Sequence, residues 1–268
     1  MNILVIGGGN MGLTYAQSFL RSHIVTPDKM LILEKSPEKA AQITALNIGT
    51  VYGAPGAYIR DADLIIIAVK PQDCNAVFDI IQEWIGPQQL ILSIMAGIKM
   101  NKIKKALNTD KVVRAMPNLP AQVGLGMTVF TSTEEVMRIE LVMVQNLLNS
   151  TGKTLYVSDE KLIDAATAIS GSGPAYVFFF MQTLIDSAIA LGFERSQAEL
   201  LSYQTFKGAV ESFNKNSFTC EEWIRKVSSK GGTTEAAFSM IDKHKVHGAL
   251  LQAYGRAYDR AEEISKIE

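Results

Sequence analysis

The chain has 268 residues, of which 47% are hydrophobic, 26 are lysine or arginine and 27 are aspartate or glutamate, so the formal net charge at pH 7 is -1. The hydrophobic share is large enough for a sizeable core and excludes a disordered chain, whereas the balanced charge gives no electrostatic footprint for nucleic acid or for a membrane surface. The two cysteines, Cys74 and Cys220, match no metal-binding spacing and predict free thiols in a reducing, cytoplasmic compartment.

A glycine-rich turn joins the first predicted strand to the first predicted helix. The strand is the apolar run Ile3–Ile6, which begins so close to the first residue that we expect no signal peptide or transit sequence. The turn carries a Gly-x-Gly-x-x-Gly pattern over Gly7, Gly9, Asn10, Met11 and Gly12. Strand, glycine turn and helix form the context in which this pattern binds a dinucleotide pyrophosphate. The alternative is a glycine turn without a ligand.

An acidic residue follows the second predicted strand, Met30–Leu33. Glu34 stands about twenty residues beyond the glycines, where a carboxylate can accept hydrogen bonds from the adenosine ribose diol, which favours NADH. Lys35 and Ser36 come next and are suited to a 2′-phosphate, which favours NADPH. The alternative is that Glu34 and Lys35 are merely solvated. The sequence therefore leaves the choice of cofactor open.

Further strands alternate with helices through the first part of the chain. The run 64–69 is apolar without alternation, as in a strand covered on both faces, and it ends at Lys70 and Pro71, on the sheet edge where open α/β proteins bind ligands. The remaining predicted elements are strands at 50–52, 90–93, 112–116, 124–130 and 154–157 and helices at 73–85 and 134–148. This alternation predicts an α/β fold with a mostly parallel, doubly wound sheet.

The pattern changes after Val157, beyond which we predict helices only. We therefore expect a Rossmann-type dinucleotide-binding domain at residues 1–158 and an all-helical dimerisation and substrate-binding domain at 159–268. The apolar stretch 175–191 contains Gln182 and Asp186, and a charge in mid-bilayer is costly, so the stretch predicts a buried helix rather than a membrane span. The helices carry more apolar surface than this domain can hide alone, which predicts a homodimer or a higher homo-oligomer.

Six motifs give the chain a resemblance to a known family. They are Gly7-x-Gly9-Asn10-Met11-Gly12, Ala68-Val69-Lys70-Pro71-Gln72, Ala96-Gly97, Arg114-x-Met116-Pro117-Asn118, Ser170-Gly171-Ser172-Gly173-Pro174-Ala175-Tyr176 and Gly231-Gly232-Thr233-Thr234. With these motifs the chain resembles pyrroline-5-carboxylate reductase over essentially its whole length. The first motif is shared by many dehydrogenases, whereas the last two, in this order behind a Rossmann domain, are quite specific.

The resemblance implies a reductase of proline biosynthesis. Such an enzyme reduces 1-pyrroline-5-carboxylate to proline with NADPH or NADH and forms a dimer through its helical domain, often assembled further. The resemblance also implies an active site between the sheet edge of one subunit and helical elements of the dimer. The small-molecule substrate is a ring with an imine and a carboxylate, so catalysis consists mainly of orienting two rings face to face.

The resemblance assigns roles to individual residues of the helical domain. It implies that the Thr234 hydroxyl, the catalytic position, hydrogen-bonds the ring nitrogen and that Glu160 lies near the substrate. Backbone N–H groups of the turn formed by Gly231, Gly232, Thr233 and Thr234 are suited to bind the substrate carboxylate as an anion nest. Two alternatives stay open: Thr234 also fits a helix cap, and Glu160 also fits favourable charge at a helix start.

The resemblance also assigns cofactor contacts in the first domain. It places the backbone of Ala68, Val69, Lys70 and Pro71 beside the cofactor, and we interpret Lys70 as a positioning group. We expect Ala96 and Gly97, small residues at the same carboxyl edge of the sheet, to contact the cofactor as well.

Several positions depart from the usual family pattern. Lys230 stands where the family usually has proline, Gln182 where it often has glutamate, Leu119 where it has a small hydroxyl residue, and Pro55 where relatives often have asparagine near the adenosine. These changes leave room for a shifted substrate. The alternatives are therefore a reductase of a related cyclic imine, a β-hydroxyacid dehydrogenase, for which we find no convincing lysine base, or a non-catalytic nucleotide-binding paralogue.

Overall fold

The computed structural model describes residues 1–266 and arranges the first part of the chain as one eight-stranded sheet. The strands are β1 (Ile3–Ile6), β2 (Met30–Leu33), β3 (Thr50–Tyr52), β4 (Leu64–Ile67), β5 (Leu90–Ser93), β6 (Val112–Met116), β7 (Gly126–Ser132) and β8 (Gly152–Tyr156). They lie in the order β3-β2-β1-β4-β5-β6-β7-β8. The chain leaves β3, at one edge of the sheet, and continues in β4 on the far side of β1. The predicted doubly wound α/β fold is confirmed.

The carboxyl ends of the central strands come together at one edge of the sheet. β1 pairs in parallel with both β2 and β4, and Ile6 lies beside Leu33 on one side and Ile67 on the other. The residues that follow these three strands therefore leave the sheet at the same edge. In an open α/β sheet this is the switch point at which ligands bind.

The last two strands, β7 and β8, run in the direction opposite to the other six strands of the sheet. β6 and β7 are antiparallel, with Met116 opposite Val129, whereas β7 and β8 are parallel to each other. The connection from β6 to β7 contains only a 3-10 helix, Leu119–Val123. A parallel return needs a longer crossover, usually a helix, so this short connection makes β7 run back beside β6.

Helices cover both faces of the sheet. They are α1 (Asn10–Arg21), α2 (Pro37–Ala45), α3 (Cys74–Ile81), α4 (Met100–Leu107), α5 (Arg138–Asn149) and α6 (Lys161–Ala166). One core cluster joins alternate residues of β1 to Phe19 of α1 and Leu148 of α5, and a second joins the other residues of β1 to Phe78 of α3 and Ile103 of α4. The predicted helix at 73–85 breaks into α3 and a 3-10 turn, Gln82–Trp84.

The predicted helix at 134–148 begins later than expected. The N–H of Val136 bonds to the carbonyl of Thr133, and the N–H of Met137 bonds to the Glu140 carboxylate at 2.9 Å. The N–H groups of Val136 and Met137 are therefore bonded in a turn and at the helix cap rather than within a helix. The helix accordingly starts only at Arg138.

The contacts divide the described chain into two compact units. One unit contains residues 1–172 together with the segment that starts at Ala257, and the other contains residues 173–256. The first unit includes α6 and the π-helical turn Thr167–Gly171. The expected domain boundary at residue 158, which follows the end of the sheet, stays a prediction.

The second unit is helical. Its helices are α7 (Gly173–Ala190), α8 (Arg195–Lys215), α9 (Cys220–Val227), α10 (Thr233–Lys243) and the first part of α11 (Val246–Lys266). α7 packs on α8, and the rings of Tyr176 and Tyr254 lie 4.8 Å apart. No described helix is both long enough and apolar enough to span a bilayer, and this includes α7.

Candidate active site

The turn between β1 and α1 has the geometry of a dinucleotide-binding loop. Gly7 adopts a φ of 104°, a left-handed conformation that favours glycine, and its N–H bonds to the carbonyl oxygen of Leu33 at 2.9 Å. A Cβ atom on Gly12 would collide with the Gly7 carbonyl, so this glycine allows α1 to approach the strand. A Cβ atom on Gly9 would meet no atom within 4 Å. The turn therefore offers open space at the first turn of α1, where backbone N–H groups attract a pyrophosphate.

A cavity of about 490 Å³ lies at this edge of the sheet. It is formed by residues at or beyond the carboxyl ends of β1, β2, β3 and β4. Seven of its lining residues are among the predicted cofactor contacts: Gly7, Gly9, Glu34, Lys35, Ala68, Val69 and Lys70. The volume and the position at the switch point fit part of an extended nucleotide.

Glu34 holds the glycine turn with its side chain. Its Oε2 atom accepts a hydrogen bond from the N–H of Gly8 at 2.9 Å, and its Oε1 atom accepts one from the N–H of Ser36 at 2.8 Å. The carboxylate is buried, although it also lines the cavity. Glu34 therefore shapes the loop as well as facing the space where a ribose would lie.

Three lysines, Lys35, Lys39 and Lys70, line the same cavity as Glu34. Lys35 lies 3.6 Å from the Asp73 carboxylate in an exposed ion pair. Ser36 instead caps α2, because its hydroxyl accepts a bond from the N–H of Lys39 at 3.4 Å. Sequence reasoning missed Lys39. Lys39 lies three residues beyond Ser36, in the first turn of α2. Residues with this spacing are neighbours on a helix, so the sequence could have indicated that Lys39 lies near Ser36.

The other predicted cofactor residues lie outside this cavity. Asn10, Met11 and Gly12 form the first turn of α1, and Pro71 begins a 3-10 turn. Ala96 and Gly97 follow β5, which is the strand next to β4. They therefore leave the sheet one strand away from the cavity, at the same edge. Pro55 also lines the cavity. It stands where relatives in the resembled family often have an asparagine near the adenosine.

A buried ionic cluster lies between the sheet and α6. Arg114, in β6, is fully buried, and its guanidinium donates to Oε1 of Glu160 at 3.1 Å and to Oδ1 of Asp164 at 2.6 Å. Glu160 Oε1 also accepts a hydrogen bond from the N–H of Met100, the first residue of α4. Glu160 therefore bridges the start of α4 and the sheet. Sequence reasoning assigned no role to Arg114 or Asp164.

The glycine turn before α10 differs in detail from the expected anion nest. Gly231 adopts a φ of 71°, and its N–H donates to the Glu235 carboxylate, while the N–H of Gly232 bonds to the carbonyl of Ser229 at 2.9 Å. Both glycine donors are thus used within the turn. In the described turn, the carboxylate that accepts a backbone N–H is that of Glu235, and the binding of a substrate carboxylate there stays a prediction.

The first turn of α10 begins with two threonines. α10 starts at Thr233, and Gly232 is its N-cap without a side-chain cap bond. Thr234 is thus the second helical residue, and the alternative role of a helix cap does not apply to it. The first N–H groups of a helix have no partner within the helix. Thr233 and Thr234 therefore contribute two donors at the positive end of α10.

The ligating side chains of the described residues do not form a metal centre: no group of three histidine, cysteine, aspartate or glutamate side chains is placed to hold an ion. Both cysteines are free, Cys74 buried and Cys220 exposed.

Comparison with known families identifies two matching regions. Residues 160–264 match the family model described as pyrroline-5-carboxylate reductase dimerisation. Residues 2–97 match the family model described as NADP oxidoreductase, coenzyme F420-dependent. The two matches together cover the dinucleotide-binding turn and most of the helical second half.

Curated relatives match along nearly the whole chain. The chain is 33% identical to the pyrroline-5-carboxylate reductase of Pseudomonas aeruginosa, with 98% of this chain and 97% of that protein covered. It is 32% identical to the enzyme of the same name from Aquifex aeolicus, with the same coverage. The resemblance drawn from the six motifs is confirmed.

Solved structures show the same architecture. The Coxiella burnetii pyrroline-5-carboxylate reductase superposes with a TM-score of 0.89 at 29% identity, covering 99% of this chain and 98% of that one. The Plasmodium falciparum pyrroline carboxylate reductase, which was solved with NADP bound, gives a TM-score of 0.90 at 26% identity over the same shares of the two chains.

Proposed function

The chain belongs to the pyrroline-5-carboxylate reductase family, and we propose that it reduces 1-pyrroline-5-carboxylate to L-proline with NADPH or NADH, the last step of proline biosynthesis. As a member of this family it is an oxidoreductase. The observation that carries the proposal is the open space at Gly9, on the first turn of α1 and at the switch point of the sheet. This is the space that a dinucleotide pyrophosphate requires.

The reaction needs binding and orientation more than acid catalysis. When bound, the dihydronicotinamide supplies a hydride to the imine carbon. The ring nitrogen arrives protonated, so the C=N bond becomes a C–N bond and the products are proline and the oxidised cofactor. The protein therefore has to hold the two rings face to face and exclude water, which is proximity catalysis.

The proposed cofactor site is formed by the sheet edge, within the first unit. The turn from Gly7 to Gly12 binds the pyrophosphate, and the cavity around Glu34 receives the adenosine ribose. Lys35, Lys39 and Lys70 supply positive charge there, which suits a 2′-phosphate, while the Glu34 carboxylate suits a free ribose diol. The proposal therefore includes both cofactors.

The residues proposed to bind the substrate lie at the start of α10, in the second unit. The N–H groups of Thr233 and Thr234 and the Thr234 hydroxyl bind the substrate, while Gly231 and Gly232 give the turn its shape. This division follows from the observed bonds, because both glycine N–H groups are already used by the chain. Glu160, which is held by Arg114, acts by fixing the start of α4.

The chain forms homo-oligomers through its helical unit, in agreement with the matched dimerisation family, and we propose a homodimer as the basic assembly. Large apolar side chains of α7 and α8 are exposed in the single chain: Val177, Phe178, Phe179, Leu184, Ile189, Leu200, Leu201, Val210 and Phe213. Exposed apolar surface of this kind marks a protein interface. Two unpaired cysteines also favour a reducing location, so we propose the cytoplasm.

A steady-state assay tests the proposed activity. Purified protein should oxidise NADPH or NADH in the presence of 1-pyrroline-5-carboxylate and form proline, which chromatography identifies. A six-membered cyclic imino acid is the matched competitor, because it tests whether Lys230 and Gln182 have shifted the substrate. A larger kcat/KM for the six-membered ring favours the related cyclic imine, and nucleotide binding without turnover of either ring favours a non-catalytic paralogue.

A further inference from the structure

The last turn of α11 packs directly on the loop that follows β5. Gly97 adopts a φ of 73°, and a Cβ atom on this residue would collide with Cγ2 of Ile264 and lie 3.2 Å from the Ile264 carbonyl carbon. Ile264 therefore occupies the space that any side chain at position 97 would need. Gly97 is required both for its backbone conformation and for this close approach.

A chain of polar contacts joins the same turn of α11 to the start of α4. The Ser265 hydroxyl donates to Oδ1 of Asp164 at 2.8 Å, and that oxygen also accepts the bond from Arg114. Arg114 in turn donates to Glu160, which accepts the N–H of Met100. The loop after β5 is thus bounded by Ile264 on one side and by this network at its far end.

A weaker, long-range electrostatic interaction adds to the packing. The Tyr258 hydroxyl donates to Oε1 of Glu262 at 2.8 Å. This bond, together with the charges of Lys266 and Lys99, holds the pKa of the Glu262 carboxyl below its usual value. Lys99 is the N-cap of α4 and ends the same loop. The geometric contact of α11 with the loop is thus the packing of Ile264 at Gly97, to which the charges of Glu262 and Lys99 add a weak attraction.

We infer that the last turn of α11 is a positioning element, in which Ile264 and Ser265 hold the loop from Met95 to Lys99 in the conformation that binds the nicotinamide cofactor. The inference rests on the proposed function, which gives this loop its ligand. The loop leaves the sheet beside the cavity, since the N–H of Ile94 bonds to the carbonyl of Ile67, the last residue of β4. Residues near the C-terminus thus control a loop at the cofactor edge.

Two single variants test the inference by nucleotide binding. Ile264→Ala and Ser265→Ala should each raise the Kd of NADPH, measured by fluorescence titration without substrate, by about three- to tenfold, because a smaller fraction of molecules holds the competent loop. KM for the cofactor should rise with Kd, while kcat at saturation stays near wild type. Arg260→Ala is the matched control, since its exposed side chain pairs with Glu263 of the same helix at 2.7 Å.

A double variant separates positioning from general stability. Gly97→Ala should weaken nucleotide binding, and adding Ile264→Ala should restore part of the affinity, because the Cγ2 atom that blocks the new methyl group is gone. A Kd that stays at the wild-type value in both single variants while the melting temperature falls would overturn the inference, as would strictly additive effects in the double variant. Failure of the wild type to reduce 1-pyrroline-5-carboxylate would overturn only the proposed function, since the binding assay uses no substrate.

Discussion

The side-chain amide of Asn118 donates a hydrogen bond to the carbonyl oxygen of Ser170, 3.0 Å away and 52 residues later in the chain. Its Oδ1 atom accepts a second bond from the N–H of Met127 in β7 at 2.9 Å. The next residue along the chain from Ser170, Gly171, packs close to Met116. A Cβ atom on Gly171 would lie 2.9 Å from Cε of Met116. Two motifs recognised separately in the sequence thus form one contact.

Asn118→Asp should destabilise the protein by about 1–3 kcal/mol, because the carboxylate keeps the acceptor for Met127 but loses the donor to Ser170. Chemical denaturation measures the free energy of unfolding. Asn146→Asp, on the exposed face of α5, is the control for the charge change alone. Equal stabilities of the two variants would contradict the role of this bond.

Gly9→Val should abolish nucleotide binding while the fold stays intact, because the new side chain enters open space that we assign to the pyrophosphate. Gly12→Ala should instead lower the melting temperature, since its Cβ collides with the Gly7 carbonyl. Calorimetric titration with NADPH and NADH, combined with thermal melting, distinguishes the two effects. Unchanged affinity of Gly9→Val for both cofactors would show that the site is elsewhere.

Glu34→Gln should weaken the binding of both cofactors. The two carboxylate oxygens accept hydrogen bonds from the N–H groups of Gly8 and Ser36, and in the variant one of these N–H groups would face an amide nitrogen, which cannot accept it. The loss should be larger for NADH than for NADPH, since a carboxylate accepts bonds from a ribose diol and repels a 2′-phosphate. The ratio of kcat/KM for the two cofactors measures this. Glu38→Gln, in the exposed first turn of α2, is the control, and a ratio that shifts toward NADH would refute the prediction.

Thr234→Val should lower kcat/KM for 1-pyrroline-5-carboxylate by about one to two powers of ten, because a lost hydrogen bond to a charged group costs roughly 1.5–3 kcal/mol. Thr234→Ala should do the same, and Thr234→Ser should restore most of the rate because it keeps the hydroxyl. Nucleotide affinity should stay near wild type in all three. Wild-type rates in the Val and Ala variants would place the substrate elsewhere.

Phe178→Asp should dissociate or unfold the oligomer. Phe178 is 58% exposed in the single chain, and if an interface covers it, the aspartate would be buried there as an unpaired charge, which is strongly destabilising. Light scattering measures the mass, and circular dichroism the helix content. Leu46→Asp, at the C-cap of α2 in the other unit, is the control. A stable wild-type monomer would contradict the proposed dimer.

Local patterns in the sequence were sufficient for most of the sheet. β1, β2 and β5 have the predicted bounds because each is a short apolar run with clear ends, and the glycine turn follows β1 as its spacing predicts. The antiparallel course of β7 was not predicted. It depends on the length and shape of the connection after β6, which hydrophobic periodicity does not report.

The details of the candidate site depend on long-range contacts that a sequence does not display. Arg114 meets Glu160 and Asp164 only because α6 folds onto β6, and the bond between Glu235 and Gly231 forms only once α10 has begun. The motif containing Gly231 predicts a binding site for the substrate carboxylate. It could not indicate that the chain's own carboxylate already occupies one of the donors.

The contact between Ile264 and Gly97 has a consequence for synthesis on the ribosome. Domains generally fold as they emerge, N-terminal part first, at about 5–20 residues per second. Ile264 is translated 167 residues after Gly97 (264 − 97). At that rate the ribosome needs about 8–33 s to reach the helix turn that packs on this loop, and during this interval the loop after β5 lacks the side chain that covers it.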